Sequence, residues 1–93
     1  EDVEAAVYFS CLEALQNVAK YARASNVTIS LARDDGLLSF AVADNGVGFD
    51  PEAAHQGTGL QGIADRMDAL GGRFQVRSRN GEGTTVTGSV PLP

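Results

Sequence analysis

The chain has 93 residues, of which 43% are hydrophobic and 20% are charged, a size and composition that suit one soluble globular domain. The formal net charge of −5 argues against a general nucleic-acid surface, which needs clustered Lys and Arg to replace phosphate counterions. Cys11 is the only cysteine, so an internal disulfide is excluded and we expect the domain to be cytoplasmic.

The sequence offers no segment that would cross a membrane. It contains no run of about 18 apolar residues, and its first residues lack the basic and apolar regions of a secretory signal. We expect this fragment not to be membrane-embedded, although a parent chain could still be membrane-anchored.

The first predicted element is a long amphipathic helix from Val3 to about Arg23. The stretch contains no Gly or Pro, and apolar residues recur at spacings of three and four, which is typical of one helix face. That face is formed by Val7, Cys11, Leu15, Val18 and Ala22.

Two strands joined by a tight turn are predicted next. Apolar residues alternate with polar or small ones, which is the period of a β-strand. The apolar positions are Val27, Ile29, Leu31, Leu38, Phe40 and Val42. Between the two strands, the run of Asp34, Asp35 and Gly36 predicts a hairpin turn.

The stretch from Asn45 to Gly57 is predicted to be a functional loop, because it is rich in helix and strand breakers and longer than an ordinary connection.

A second helix follows, ended by Gly71 and Gly72. Its apolar face consists of Leu60, Ile63, Ala64, Met67 and Leu70. Residues 74–79 and 84–90 then predict a second strand pair, with a turn at 80–83.

This order of elements predicts one α+β domain over residues 1–93. We expect a two-layer α/β sandwich with a mixed, mostly antiparallel sheet and both helices on one face. Hairpin-length turns exclude a doubly wound parallel sheet, because parallel neighbours need much longer crossovers.

A polar stripe on the first helix is a candidate metal and phosphate site. Glu13, Asn17 and Lys20 project within roughly 60° of one another. They supply a carboxylate, an amide oxygen and an ammonium, as a magnesium-bound polyphosphate requires. A solvated helix face is the alternative. Cys11 and Leu15 lie nearly opposite, so we expect the stripe to face away from the deepest part of the core.

Asp44, at the end of a hydrophobic strand, is a candidate base-reading residue. Asp-Asn-Gly is often only a turn, but Gly46 and Gly48 would also let backbone approach a flat ligand. The carboxylate can then accept a hydrogen bond from an exocyclic amine, which adenine carries where guanine has a carbonyl.

The start of the second helix is a candidate anion site, because its first amides lack partners within the helix. The residues concerned are Gly57, Thr58, Gly59, Leu60 and Gly62. Simple flexibility before a helix is the alternative. Gly83 and Thr84 are adequately explained as a turn residue and a strand residue.

Taken together, these residues resemble the catalytic domains of histidine kinases, within the wider group that includes gyrase and the MutL repair proteins. Glu13, Asn17, Lys20, Tyr21 and Ala22 look like the family's N box. Asp44, Gly46 and Gly48 look like its G1 box, and Gly57, Gly59 and Gly62 look like its G2 box. The run from Leu60 through Arg66 to Gly72 is similar to the DesK, NarX and LiaS type, which has a short ATP lid. The resemblance spans essentially the whole chain and implies the Bergerat ATP-binding fold.

The resemblance also implies a role for each matching residue. Asn17 would bind Mg²⁺, Glu13 would assist as a base or through metal-bound water, and Lys20 would contact phosphate. Asp44 would read the adenine amine, while Gly46 and Gly48 would let the base enter.

Further roles follow from the same resemblance. Gly57, Thr58, Gly59, Leu60 and Gly62 would flank the triphosphate. Thr84 is similar to a family threonine near the adenine. Tyr21 stands where many members have His, and we count it among the nucleotide-binding residues.

Two departures from the family pattern indicate a fragment. The phosphoacceptor motif, a His followed by an acidic residue on a dimerisation helix, is absent, and so is the short strand that usually leads into the first helix. The only histidine is His55, which we interpret as an exposed residue of the lid.

The family's function is therefore the expectation for this chain. It would bind MgATP and donate the γ-phosphate to a histidine on the separate dimerisation and histidine phosphotransfer domain of the same sensor kinase, from which the group passes to a response regulator. The alternatives are a hydrolytic ATPase of the gyrase or MutL type and a non-catalytic ATP-binding regulatory module.

Overall fold

Two helices and four strands make up the part of the chain that the computed structural model describes, namely residues 2–19, 23–48, 60–79 and 81–92. In chain order they are α1 (Asp2–Asn17), β1 (Val27–Asp34), β2 (Leu37–Asp44), α2 (Leu60–Ala69), β3 (Arg73–Ser78) and β4 (Thr84–Pro91). The order of elements predicted from the sequence is confirmed.

The four described strands form one sheet in the order β1-β2-β4-β3. All three pairings are antiparallel, so no parallel pair of the expected mixed sheet occurs among the described strands. β1 and β2 are joined by the predicted hairpin, with Asp34 paired to Leu37. α1 and α2 both contact the sheet and each other. The predicted α+β sandwich is confirmed.

The core lies between the sheet and the two helices. Alternate residues of β2 and β4 point toward the helices, as the two-residue period of a strand requires. The buried apolar residues are Val7, Ala14, Phe40, Val42, Leu60, Ile63, Met67, Val86 and Val90. Gly88 lies directly under the Phe40 ring, where even one added carbon would overlap that ring. The glycine therefore makes room for the largest side chain of the sheet's inner face.

The buried face of α1 differs from the predicted one. The residues most enclosed are Val7, Ser10 and Ala14, while Cys11 is only half-buried beside the core. Burial raises the pKa of the Cys11 thiol, so it packs as a neutral group. Leu15 faces a groove of about 380 Å³ between α1 and β1 rather than the core. The buried face of α1 is thus rotated about the helix axis, relative to the predicted face, toward the side that carries Asn17. The reason is that α2 also packs on this side of α1.

The backbone changes in an identifiable way where each helix ends. After Asn17 the chain continues through a wider, π-helical turn at Val18 and Ala19, and Arg23, with a φ of 51°, is no longer helical. α2 ends at the predicted pair of glycines, where Gly72 N donates to Met67 O at 2.8 Å. Within the described residues, neither helix has the length and hydrophobicity needed to cross a membrane.

Candidate functional site

Three polar residues stand side by side where β2 ends and β4 begins. Asp44 pairs with Thr84, and Thr84 pairs with Ser78 on the other side. Directly paired residues point to the same face of a sheet. Asp44 follows Phe40 and Val42 by steps of two, so this face is the one that the helices cover. The strand register therefore brings two of the predicted nucleotide-binding residues together.

The half-buried carboxylate of Asp44 is fixed by the backbone just beyond it. Gly46 N donates to Asp44 Oδ1 at 2.7 Å, the local turn that Asp residues commonly form. Gly46 itself is buried. A carboxylate has about four acceptor positions, so this bond orients Asp44 and still leaves capacity to accept a hydrogen bond from a ligand.

Asn45 ties the chain that follows α1 to the end of β2. Its Oδ1 accepts from Ser25 N at 3.0 Å and from Asn26 N at 2.9 Å, and its Nδ2 donates to Ser25 Oγ at 2.8 Å. The sequence interpretation had treated this residue only as part of a turn. These bonds hold Ser25 and Asn26, which lead into β1, beside the end of β2.

The backbone around Gly48 packs against the turn between β3 and β4. Gly48 has a φ of 67°, and a Cβ at this position would overlap the carbonyl oxygen of Arg79. Gly81 N donates to Val47 O, and Gly83 lies so close to Asp44 O that it too has no room for a side chain. Packing alone therefore accounts for the glycines at positions 48 and 83, independently of any ligand.

Thr84 is also fixed in place by its neighbour. The hydroxyls of Thr84 and Ser78 share a hydrogen bond of 2.7 Å, and Ser78 Oγ lies 3.2 Å from Gly83 O, to which it donates. The inner side of this sheet end thus presents an oriented carboxylate next to an oriented hydroxyl. Because Ser78 donates its one hydroxyl hydrogen to Gly83 O, Thr84 donates to Ser78, and both members of the pair are left to accept hydrogen bonds from a ligand.

The second part of the site lies between α1 and α2. Arg66 Nη1 donates to Glu13 Oε1 at 2.6 Å and to Ser10 Oγ at 3.2 Å. A Cβ placed on Gly62 would lie 3.7 Å from Glu13 Oε2. Residue numbers rise along α2 as they fall along α1, so the helices are antiparallel. The first turn of α2 therefore lies beside the C-terminal half of α1.

Asn17, one helical turn beyond Glu13, has an unusual environment. Its side-chain Nδ2 is fully enclosed and has no hydrogen-bond partner among the described residues. The expectation that the polar stripe faces away from the core is wrong: Glu13 is only one-third exposed, and Asn17 lies on the enclosed side of α1. Glu13 faces α2 because the two helices pack together at Arg66 and Gly62.

Several predicted site residues lie outside the described residues. They are Lys20, Tyr21, Gly57, Thr58 and Gly59, together with Ala22 of the N box and His55 of the predicted lid. The described residues contain no cluster of three or more His, Cys, Asp or Glu side chains.

Arg66 and Ser10 are the functional candidates that the sequence interpretation missed. Arg66 lies one helical turn after Gly62, so the two share a face of α2, and this spacing was the available signal. Ser10 offered none, because a serine inside an amphipathic pattern gives no indication of a partner on another helix.

The chain matches known proteins over nearly its whole length. Residues 2–93 match the family described as histidine kinase-, DNA gyrase B-, and HSP90-like ATPase. The chain is 36% identical over 93 residues to the signal transduction histidine-protein kinase/phosphatase DegS of Brevibacillus brevis, covering 99% of this chain and 24% of that protein. It is 37% identical over 89 residues to the sensor histidine kinase YdfH of Bacillus subtilis, covering 91% and 22%. The chain thus spans about a quarter of the length of these relatives.

Solved structures share the same fold. The histidine kinase domain of the Erythrobacter litoralis EL346 blue-light activated histidine kinase superposes with a TM-score of 0.77 at 21% identity, covering 98% of this chain and 45% of that one. Full-length ShkA in complex with AMPPNP gives a TM-score of 0.71 at 29% identity, with 88% and 20% covered. With the family match over residues 2–93, these likenesses establish that the chain belongs to the histidine kinase-, DNA gyrase B- and HSP90-like ATPase family.

Proposed function

We propose that this chain is the catalytic domain of a sensor histidine kinase. It binds MgATP and donates the γ-phosphate to a histidine on the dimerisation domain of the same kinase, and the phosphoryl group then passes to a response regulator. The observation that carries the proposal is the direction of the helices: Glu4 of α1 contacts Arg33 near the hairpin, and Gly72, just after α2, packs on Ser89 toward the same end of the sheet. α1 therefore runs toward, and α2 begins toward, the opposite end, where Asp44 pairs with Thr84. Base-reading and phosphate-binding groups thus share one side of the molecule.

Adenine is the base that the Asp44 end fits. An ionised carboxylate can accept hydrogen bonds but cannot donate them. It therefore favours the exocyclic amine of adenine over the carbonyl that guanine carries at the same position. The Thr84 hydroxyl beside it, whose hydrogen is donated to Ser78, can accept a hydrogen bond, directly or through a water. The packing of Gly48 and Gly83 keeps this edge fixed before nucleotide arrives, which lowers the ordering cost of binding.

The α1–α2 end fits the phosphates and Mg²⁺. Leaving a buried donor unsatisfied costs roughly 1–3 kcal/mol, so the orphaned Nδ2 of Asn17 favours an acceptor such as a phosphate or water oxygen. The Asn17 amide oxygen and the Glu13 carboxylate are the hard oxygen ligands that Mg²⁺ prefers. When bound, Mg²⁺ would neutralise charge on the phosphates.

The chain's own contribution to transfer is positioning and charge compensation, because phosphoryl transfer needs little covalent chemistry from the protein. Asn17 and Glu13 hold the phosphate end, and the first turn of α2 lies beside Glu13. Lys20 and the segment Gly57–Gly59 would complete this end, as the family resemblance implies. A cytoplasmic location of this domain belongs to the same proposal.

Asn17→Ala tests this assignment. In the full polypeptide that carries these residues, radiolabelled ATP should label the acceptor histidine, and Asn17→Ala should abolish labelling by removing a metal ligand. Gln16→Ala is the matched control, because it removes a neighbouring amide that is exposed, and it should label normally.

Two outcomes would contradict the proposal. Labelling that survives in Asn17→Ala would remove Asn17 from the metal site. Release of inorganic phosphate by the wild type with no labelled protein would favour the hydrolytic alternative.

A further inference from the structure

A three-residue cluster joins α1 to α2 beside the proposed phosphate end. Arg66, on α2, donates to two groups of α1: Glu13 Oε1 at 2.6 Å and Ser10 Oγ at 3.2 Å. Ser10 is completely buried and is the only buried polar residue among those described. A buried hydroxyl needs a partner, and here that partner is the guanidinium that binds Glu13.

The cluster determines which carboxylate oxygen of Glu13 is available. Arg66 occupies Oε1, while Oε2 lies toward Gly62 in the first turn of α2, 3.7 Å from where a Cβ on that residue would be. Both bonds are donated by Nη1, and because the guanidinium is planar and rigid, the bond to Ser10 restricts its orientation toward Glu13. Rotation of Glu13 about its side-chain bonds would break the contact with Arg66.

We propose that Arg66 is a positioning residue for phosphoryl transfer: it holds Glu13 by Oε1, with Ser10 as its anchor, so that Oε2 faces the phosphate-binding turn of α2. This inference rests on the proposed function, in which Glu13 acts at the phosphate end. It adds that the role of Glu13 depends on Arg66, which lies 53 positions away in the chain.

A purely structural role for Arg66 makes a different prediction. α2 is attached to the core by Leu60, Ile63 and Met67, all of which are buried, so its packing does not depend on the guanidinium. A structural ion pair would change stability alone. A positioning residue changes the rate of the chemical step, and only when Glu13 is present.

The chain supplies a matched control pair between β1 and the same helix α1. Arg33 contacts Glu4 Oε2 at 3.2 Å, and both side chains are more than 60% exposed, whereas those of Arg66 and Glu13 are 33% exposed. Arg33→Gln therefore removes the same charge and the same type of contact, from a place away from the proposed phosphates.

The test is steady-state labelling of the acceptor histidine in the full polypeptide, with kcat and KM for MgATP measured separately. Arg66→Gln should lower kcat by on the order of 10- to 100-fold, the range for a misplaced catalytic group, and leave KM within about threefold. Arg66→Lys should recover part of kcat, and Ser10→Ala should cause a smaller loss of the same kind. Arg33→Gln should match the wild type.

The double variant decides between positioning and structure. In a Glu13→Gln background, Arg66→Gln should lower kcat by less than about threefold, because the group that it positions is no longer a carboxylate. Equal, multiplicative losses in both backgrounds, or an equal loss in Arg33→Gln, would overturn the inference. If the wild type labels no histidine, or Glu13→Gln labels as well as the wild type, the assignment of Glu13 under the proposed function fails instead.

Discussion

One glycine with positive φ lies before β2 and another lies after it, and the two glycines have different surroundings. Gly36, in the β1–β2 hairpin, has a φ of 76° and nothing within 4 Å of where a Cβ would lie. Gly48, four residues after β2 ends at Asp44, has a φ of 67°, and the place of its Cβ is occupied by the carbonyl of Arg79. Gly36 is thus required by the turn alone, whereas Gly48 is required by the turn and by close backbone packing.

The difference shows where this fold is constrained. At the hairpin end, the β1–β2 turn is joined to the chain after β4 by one backbone bond, from Leu92 N to Gly36 O at 2.6 Å. At the Asp44 end the α1–β1 connection, the backbone after β2 and the β3–β4 turn contact one another through Asn45, Val47 and Gly83. The residues proposed to read adenine lie at this second end, so the rigid part of the sheet is the part assigned to the ligand.

Gly48→Ala should produce the largest stability loss that this comparison predicts. It should lower the free energy of unfolding by about 2–4 kcal/mol, because it adds a backbone clash to an unfavourable φ. Gly36→Ala should cost about 1–2 kcal/mol, the cost of the left-handed conformation alone. Urea unfolding of both variants measures the difference, and equal losses would show that Gly48 is not held by packing.

A smaller effect is expected at Asn45. Asn45→Ala removes the acceptor of two backbone donors and should lower stability by about 1 kcal/mol, since Ser25 and Asn26 are exposed enough to bond to water instead. Asn45→Asp keeps an acceptor for both donors and should stay within about 0.5 kcal/mol of the wild type. Amide exchange at Ser25 and Asn26 should accelerate in the alanine variant only, and unchanged exchange there would contradict the role given to Asn45.

Local pattern was enough to predict most of the fold. The period of two placed β1 and β2 on either side of their turn, and the pair Gly71 and Gly72 marked the end of α2. These features depend on residues close together in the sequence, where the backbone preferences of Gly and Asp act directly.

Burial was less predictable, because it depends on what covers each face. Ile29 and Leu31 alternate as clearly as Phe40 and Val42, yet they are 45% and 64% exposed while the latter pair is buried. β1 is an edge strand of the described sheet, and the helices lie mainly over its neighbours. The partial burial of Glu13 against α2 and the enclosure of the Asn17 amide were missed for the same reason.

The site was predictable only as two separate sets of residues. The spacing of Glu13 and Asn17, and of Asp44, Gly46 and Gly48, suggested the chemistry of each set. Which residues of α2 meet α1 is decided by helix packing, so Arg66 could not be paired with Glu13 from the sequence. Asn45 was interpreted as a turn residue because its partners precede it by about 20 positions.

The central claim is that Asp44 reads adenine at this end of the sheet, and nucleotide preference measures it most directly. Calorimetric titration of the full polypeptide should show tighter binding of MgATP than of MgGTP. Asp44→Ala should lose most of that preference, because the adenine amine would lose an acceptor worth roughly 1–3 kcal/mol. Gln16→Ala should keep the preference. Equal affinity of the wild type for the two nucleotides, or an unchanged preference in Asp44→Ala, would contradict the account.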